Sequence, residues 1–221
     1  LAAAWWLEGG LPRLTRRQLI GTLLLGATGI FAYNLFFLGA LARLPASRTS
    51  LIIALNPIVT IAAASLLLGE RMSARRWLGV AVALAGVWIV VSRGDVLGSV
   101  GGAVGLGELL MFGGVCSWAA YTLIGRRVLG GLTPLAATTW ASLWGVALLA
   151  LAAAPNLGDL GTDDLTLPVV LSVLYLGVLG TAVGFVWYYQ AVQRLGASRT
   201  VIFNNLVPVF GATFGVLLLD E

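Results

Sequence analysis

The chain of 221 residues has no lysine and no histidine, a single cysteine, and nine acidic side chains against thirteen arginines. Each shortage removes a class of function. Without histidine there is no Ser–His or Cys–His nucleophile, and with Cys116 as the sole thiol neither a zinc nor a haem ligand set is expected. The chain therefore reads as needing no metal and no cofactor. One cysteine also excludes a disulfide framework within the chain. The scarcity of charge matters most. Charged residues are 10% of the sequence and apolar ones 59%, with a mean hydropathy of +0.98, whereas a soluble domain carries about 25% charged residues. Such a chain cannot cover itself with polar surface, so lipid must be its solvent. The net charge of +4 and pI near 9.8 do not indicate a nucleic-acid partner, because the arginines stand in short clusters between apolar runs and not along a stripe.

What is present is a series of apolar segments of membrane-spanning length, which is roughly 20 residues for about 30 Å of hydrocarbon. Spans are predicted at Leu19–Ala42, Ala46–Leu68, Trp77–Val91, Val104–Leu123, Pro134–Ala154, Leu167–Val192 and Ala197–Leu219. The Trp77 run is short and should extend at both ends. Leu1–Leu7 reads as the tail of a helix; it lacks the initiating Met and charged leader of a signal peptide. Because it starts and stops abruptly, the chain is read as a fragment. With the Glu8–Gln18 loop placed inside and the sides alternated, ten arginines fall in inside loops and only Arg43, Arg48 and Arg93 outside. That is the positive-inside distribution of a multi-pass membrane protein, and one missed span would scramble it.

The sequence also repeats itself. Residues 40–70, ALARLPASRTSLIIALNPIVTIAAASLLLGE, align without a gap on residues 191–221, AVQRLGASRTVIFNNLVPVFGATFGVLLLDE, at an offset of 151. The same offset relates Gly26 and Gly29 to Gly177 and Gly180. It spans five helices, and an odd number sets equivalent helices in opposite directions. Such an inverted-topology repeat characterises many secondary transporters, whose two halves exchange conformations to open first one side and then the other.

Two stretches carry a family resemblance. An Asn-Pro in mid-helix followed by LLLGERMSARRWLGVAVALAGVWIVV, and the later GELLMFGGVCSWAAYTLIGRR, resemble the EamA family of the drug/metabolite transporter superfamily. The resemblance covers nearly the whole chain. It implies an all-α integral membrane protein, a ten-helix bundle of two inverted five-helix repeats. On that template this chain lacks the first helix, most of the second and the last. The first repeat would occupy residues 1–94 and the second, inverted one residues 101–221. The implied activity is export of amino acids, other metabolites or drugs across the bacterial inner membrane by a protein that is not an enzyme. The expected partners are membrane lipid and a small-molecule substrate, with oligomeric state left open. A lipid-modifying membrane enzyme and a non-transporting lipid-binding or sensor protein are the competing readings.

Polar groups inside hydrocarbon need a reason, so they are the candidate site residues. Asn56 precedes Pro57 and shares a helical face with Thr49 and Thr60. Pro57 and Pro208 are expected to kink their helices and leave the carbonyls of Ile53 and Asn204 without a donor. Asn56, Asn204 and Asn205 either face a substrate cavity or join helices by hydrogen bonds. Tyr33, Asn34, Trp118, Tyr121 and Tyr188 either hold an amphipathic substrate or pack. Glu108 is the only acid within a predicted helix body. It is a candidate for proton coupling or else a first-turn residue favoured by the helix dipole. Arg48 and Arg199 are expected to anchor at headgroups.

Overall fold

In the computed structural model of this chain, residues 2–68, 78–79, 81–82, 85, 105–155 and 166–219 are described. Among these residues the protein is helical, with no strand. The helices are α1 (Ala2–Glu8), α2 (Arg16–Leu41), α3 (Ala46–Ile53), α4 (Asn56–Leu68), α5 (Leu106–Val128), α6 (Pro134–Ala153), α7 (Leu167–Leu195), α8 (Ala197–Thr200) and α9 (Leu206–Leu219), with a 3₁₀ segment, Val201–Asn205, joining the last two. Among the described residues five helical stretches are long and apolar enough to cross a membrane: α2, Arg48–Leu67, α5, α6 and α7. The protein is a multi-pass helical membrane protein. The predicted Trp77–Val91 span lies largely outside the described residues, although residues 78–79, 81–82 and 85 are helical.

Four of the predicted spans differ from what apolarity alone implies, and one of them, Ala197–Leu219, is divided into α8, the 3₁₀ segment and α9. Ala46–Leu68 is not one helix: Ala54 and Leu55 donate to Leu51 and Ile52 in 3₁₀ fashion, and α4 resumes when Val59 donates to Leu55. Pro57 explains the interruption, since it has no N–H to offer the carbonyl of Ile53 and its ring crowds that carbonyl. Within α2, Gly26–Ala32 is π-helical, and within α7 so is Leu176–Val183. The hydroxyl of Thr181 shows the wider register directly, donating to the carbonyl of Leu176 five residues back at 3.0 Å. These two π segments stand at the same offset of 151 that relates the sequence repeats. Helices of 26 and 29 residues exceed what a bilayer requires, and an interrupted ladder is one way to accommodate the excess.

The contacts divide the chain into two units. The first comprises residues 1–31 and 124–196, the second 32–123 and 197–221. In the first unit α2 and α7 both pack on α6. The entry to α6 is capped by Thr133, whose hydroxyl accepts from the N–H of Ala136 at 3.1 Å, with Pro134 in the first turn. The helices approach closely at Gly26, where a Cβ would stand 2.6 Å from the carbonyl oxygen of Ala141. Lipid is as apolar as leucine, so helices in it associate by close packing of small residues, not by burying apolar area. Gly177, the repeat counterpart of Gly26, has nothing within 4 Å of such a Cβ. Most of the apolar surface of α7 is exposed, as expected of a helix that meets lipid.

In the second unit Ala40, Ile52, Ile53, Leu55, Met111 and Val115 form a core, covered by Tyr33, Phe37 and Leu110 among others. The two broken helices of the repeat also meet here. α3 packs against α9, while α4 packs against α8 and the 3₁₀ segment. The first piece of each thus lies on the second piece of the other, which requires the two to run in opposite directions.

Candidate functional site

The polar and aromatic groups singled out by the sequence concentrate in the second unit. Tyr33 is the first residue after the π segment of α2, so the extra residue per turn decides which face it presents. Its ring lies 5.3 Å from that of Trp118 and 5.7 Å from that of Phe37, the latter stacked at 8°. Trp118 and Tyr121, three apart on α5 and so on one face, have ring centroids 5.3 Å apart. Tyr33, Trp118 and Tyr121 therefore form a continuous aromatic surface drawn from two helices. Tyr121 is fully buried.

Asn56 opens α4 directly after the helix break and is 2% exposed. Its Oδ1 has no hydrogen-bond partner among the described residues, and neither has the hydroxyl oxygen of Thr60, one turn further on and wholly buried. Buried polar atoms are nearly always paired, so two orphans a turn apart call for an explanation. Thr49 needs none, since its hydroxyl donates to the carbonyl of Pro45 at 3.0 Å. Asn34 is half-buried on α2; Asn204 is half-buried and Asn205 exposed in the 3₁₀ segment. Pro208 is the third residue of α9, where its missing N–H falls among those that helix geometry leaves unpaired anyway. Tyr188 belongs to the first unit, half-buried, with its ring 6.2 Å from that of Tyr189.

Glu108 occupies the first turn of α5, where its Oε2 accepts from the N–H of Gly105 at 3.0 Å. Its other oxygen is 2.8 Å from Nη2 of Arg48, in the first turn of α3. The side chains of this pair are 15% and 9% exposed, Arg48 first. Arg48 was expected to anchor at headgroups and instead turns inward onto the carboxylate. The sequence held a signal for this: the topology starts both helices from the same side, which sets Arg48 and Glu108 at equal depth. Arg199, the repeat counterpart of Arg48, is exposed. Among the described residues no cluster of acidic, histidine or cysteine side chains is suited to a metal. The second unit thus holds two unpaired polar atoms on α4, an aromatic group drawn from α2 and α5, and an ion pair between the first turns of α3 and α5.

Comparison with known proteins agrees with the residues. The model of the EamA-like transporter family matches residues 1–92 and 105–221. The chain is 30% identical to the uncharacterized transporter YyaM of Bacillus subtilis over 91% of its own length and 66% of that protein's. It is 31% identical to a probable terminal-alkyne amino-acid exporter of Streptantibioticus cattleyicolor, over 96% of this chain and 69% of that one. To a probable amino-acid metabolite efflux pump of Escherichia coli it is 29% identical, over 95% and 71% respectively. The chain thus spans roughly two thirds of the length of the curated relatives it matches. No solved structure matches it.

Proposed function

Because this chain belongs to the EamA-like transporter family, we propose that the protein exports small organic molecules across the bacterial inner membrane by alternating access between two inverted halves. In this reading the whole protein is a ten-helix bundle of which the chain supplies the middle. The observation that carries the proposal is the crossing of the two broken helices, with the first piece of each on the second piece of the other. Two copies of one sequence running in opposite directions is what an inverted repeat requires. The π segments at the repeat offset support the same reading.

Substrate contacts are proposed at Tyr33, Asn34, Asn56, Trp118, Tyr121, Asn204 and Asn205 in the second unit and at Tyr188 in the first. Aromatic faces would hold an apolar body, while the Oδ1 of Asn56 and the hydroxyl of Thr60, unpaired at present, would accept from or donate to its polar atoms. The names of two relatives point to amino-acid-like cargo. Coupling to protons is proposed at Glu108, since taking up a proton there would remove the charge that holds Arg48.

The test begins with a metabolite-resistance screen on cells overexpressing the full-length protein, followed by efflux measurements in sealed vesicles. Leu in place of Asn56, Trp118, Tyr188 or Asn204 should lower transport while leaving the amount of folded protein nearly unchanged. Loss of folding in place of transport would assign these side chains to packing. Glu108→Gln should abolish accumulation driven by a pH gradient yet permit exchange of substrate down its own gradient. Undiminished accumulation would remove Glu108 from coupling.

A further inference from the structure

On the arginine-rich side of the first unit a cleft of about 560 Å³ opens between the start of α2, the end of α5 and the loop after it. Its lining changes character with depth. Arg17, Arg127, Thr15 and Gln18 bring charge and hydrogen-bonding groups, while Ile20 and Ile124 continue along the apolar parts of their helices. None of the described residues lining it is acidic. The cleft is also held in shape. Thr15 and Gln18 form a reciprocal capping box, with Thr15 N–H donating to Oε1 of Gln18 at 2.9 Å and Gln18 N–H to the Thr15 hydroxyl at 3.3 Å. The amide nitrogen of the same Gln18 then donates to the carbonyl of Gly131 at 2.9 Å, tying the start of α2 to the loop after α5. Further in, α2 and α5 close on one another where Gly21 has no side chain, since a Cβ there would stand 2.7 Å from Cγ2 of Val128.

We infer that this cleft binds one anionic phospholipid, with the phosphate between Arg17 and Arg127 and an acyl chain against Ile20 and Ile124. Arg17 lies in the first turn of one spanning helix and Arg127 in the last turn of another, which is headgroup depth. Guanidinium groups pair with phosphate oxygens through two parallel hydrogen bonds, so two of them with no competing acid select an anion. Basic clefts between helices on the inner side are where anionic headgroups are taken. A free phosphate ion would satisfy the arginines and leave the apolar wall uncovered, so the amphipathic lining selects the lipid.

The experiment uses the full-length protein, delipidated in a neutral detergent, with binding of phosphatidylglycerol, phosphatidylcholine and inorganic phosphate followed by native mass spectrometry and melting temperature. Phosphatidylglycerol should bind and stabilise, whereas phosphatidylcholine and inorganic phosphate should not. Arg17→Gln or Arg127→Gln alone should weaken that binding roughly fivefold, and the pair roughly thirtyfold, the worth of one and two basic contacts at a membrane surface. Arg194→Gln makes the same charge change on the same side but outside the cleft, and should leave binding unaltered. The inference is overturned if phosphatidylcholine binds equally well, if inorganic phosphate stabilises as much, or if Arg194→Gln weakens binding as far as the cleft variants do.

Discussion

The pair formed by Arg48 and Glu108 offers the sharpest test, because its strength follows from its geometry. At 2.8 Å two unit charges attract by about 6 kcal/mol if the effective dielectric constant is about 20. Taking both groups out of water costs several kcal/mol each, so the net worth of the intact pair is small. Breaking it is another matter, since the partner left behind keeps its desolvation cost and loses its compensation. For a fully buried pair that loss is about 3–5 kcal/mol. With side chains 15% and 9% exposed and water within reach at the helix ends, about 2–3 kcal/mol is expected for Arg48→Gln or Glu108→Gln alone. The double variant leaves no buried charge and should cost about 1–2 kcal/mol, well below the sum of the singles. Unfolding by sodium dodecyl sulfate in mixed micelles, followed by tryptophan fluorescence, would supply all four corners of the cycle. The charge-reversed pair, Arg48→Glu with Glu108→Arg, should recover only part of the loss, because an arginine at position 108 cannot accept from the N–H of Gly105 as the carboxylate does. Strict additivity of the two single variants would refute the reasoning, for it would mean that each charge is solvated independently and the pair carries no weight.

Other consequences are simpler to state. Gly26→Ala should destabilise by about 1–3 kcal/mol, because the new methyl meets the backbone of Ala141 and Gly145. Gly177→Ala, at the matching repeat position with open space around it, should be neutral or stabilising by up to about 1 kcal/mol; equal effects in the same unfolding assay would contradict the packing. Thr15→Ala, which removes the capping box of α2, should cost about 1 kcal/mol in that assay. In a Cys116→Ser background a cysteine placed at Thr166 should react with an impermeant thiol reagent in intact cells and one placed at Arg13 should not, the reverse result inverting the topology.

Helix positions were legible because hydropathy alone decides whether a segment enters lipid. Pro134–Ala154 was predicted and Pro134–Ala153 is observed. The predicted Val104–Leu123 span runs as a helix from Leu106 to Val128, since Arg126 and Arg127 complete a last turn whose free carbonyls favour positive charge. The breaks were legible only in part. Pro57 announces a kink, yet the interruption at Ala54–Leu55 is set by the donor that the carbonyl of Ile53 lacks, and so falls ahead of the proline. The π segments left no trace in hydropathy, because changing a hydrogen-bond register by one residue needs no change of composition. Pairings between helices, such as Tyr33 with Trp118 and Arg48 with Glu108, were hidden for a related reason. Periodicity says which residues share a face of one helix and nothing of which faces meet.

The two broken helices also separate what duplication supplies from what it does not. Their shared residues, Arg48 and Arg199, Thr49 and Thr200, Pro57 and Pro208, occupy the helix starts and the break. Thr49 and Thr200 are both buried, which fits a common role in seating the first piece of each helix. The polar groups near the breaks do not correspond. Asn56 matches Val207, while Asn204 and Asn205 match Ile53 and Ala54. In a crossing of this kind each break lies near the other, so a group on either helix comes to the same neighbourhood from the opposite direction. The residues at the helix starts and the breaks are therefore shared between the two helices, and the polar groups near the breaks are not. An identical lining would present the same chemistry whichever side opened, with no difference in affinity to favour release on one side. In the alternating-access mechanism proposed above, an unequal lining would give the two openings different affinities for a substrate, and a difference in affinity between two states is what a substrate needs to shift the balance between them.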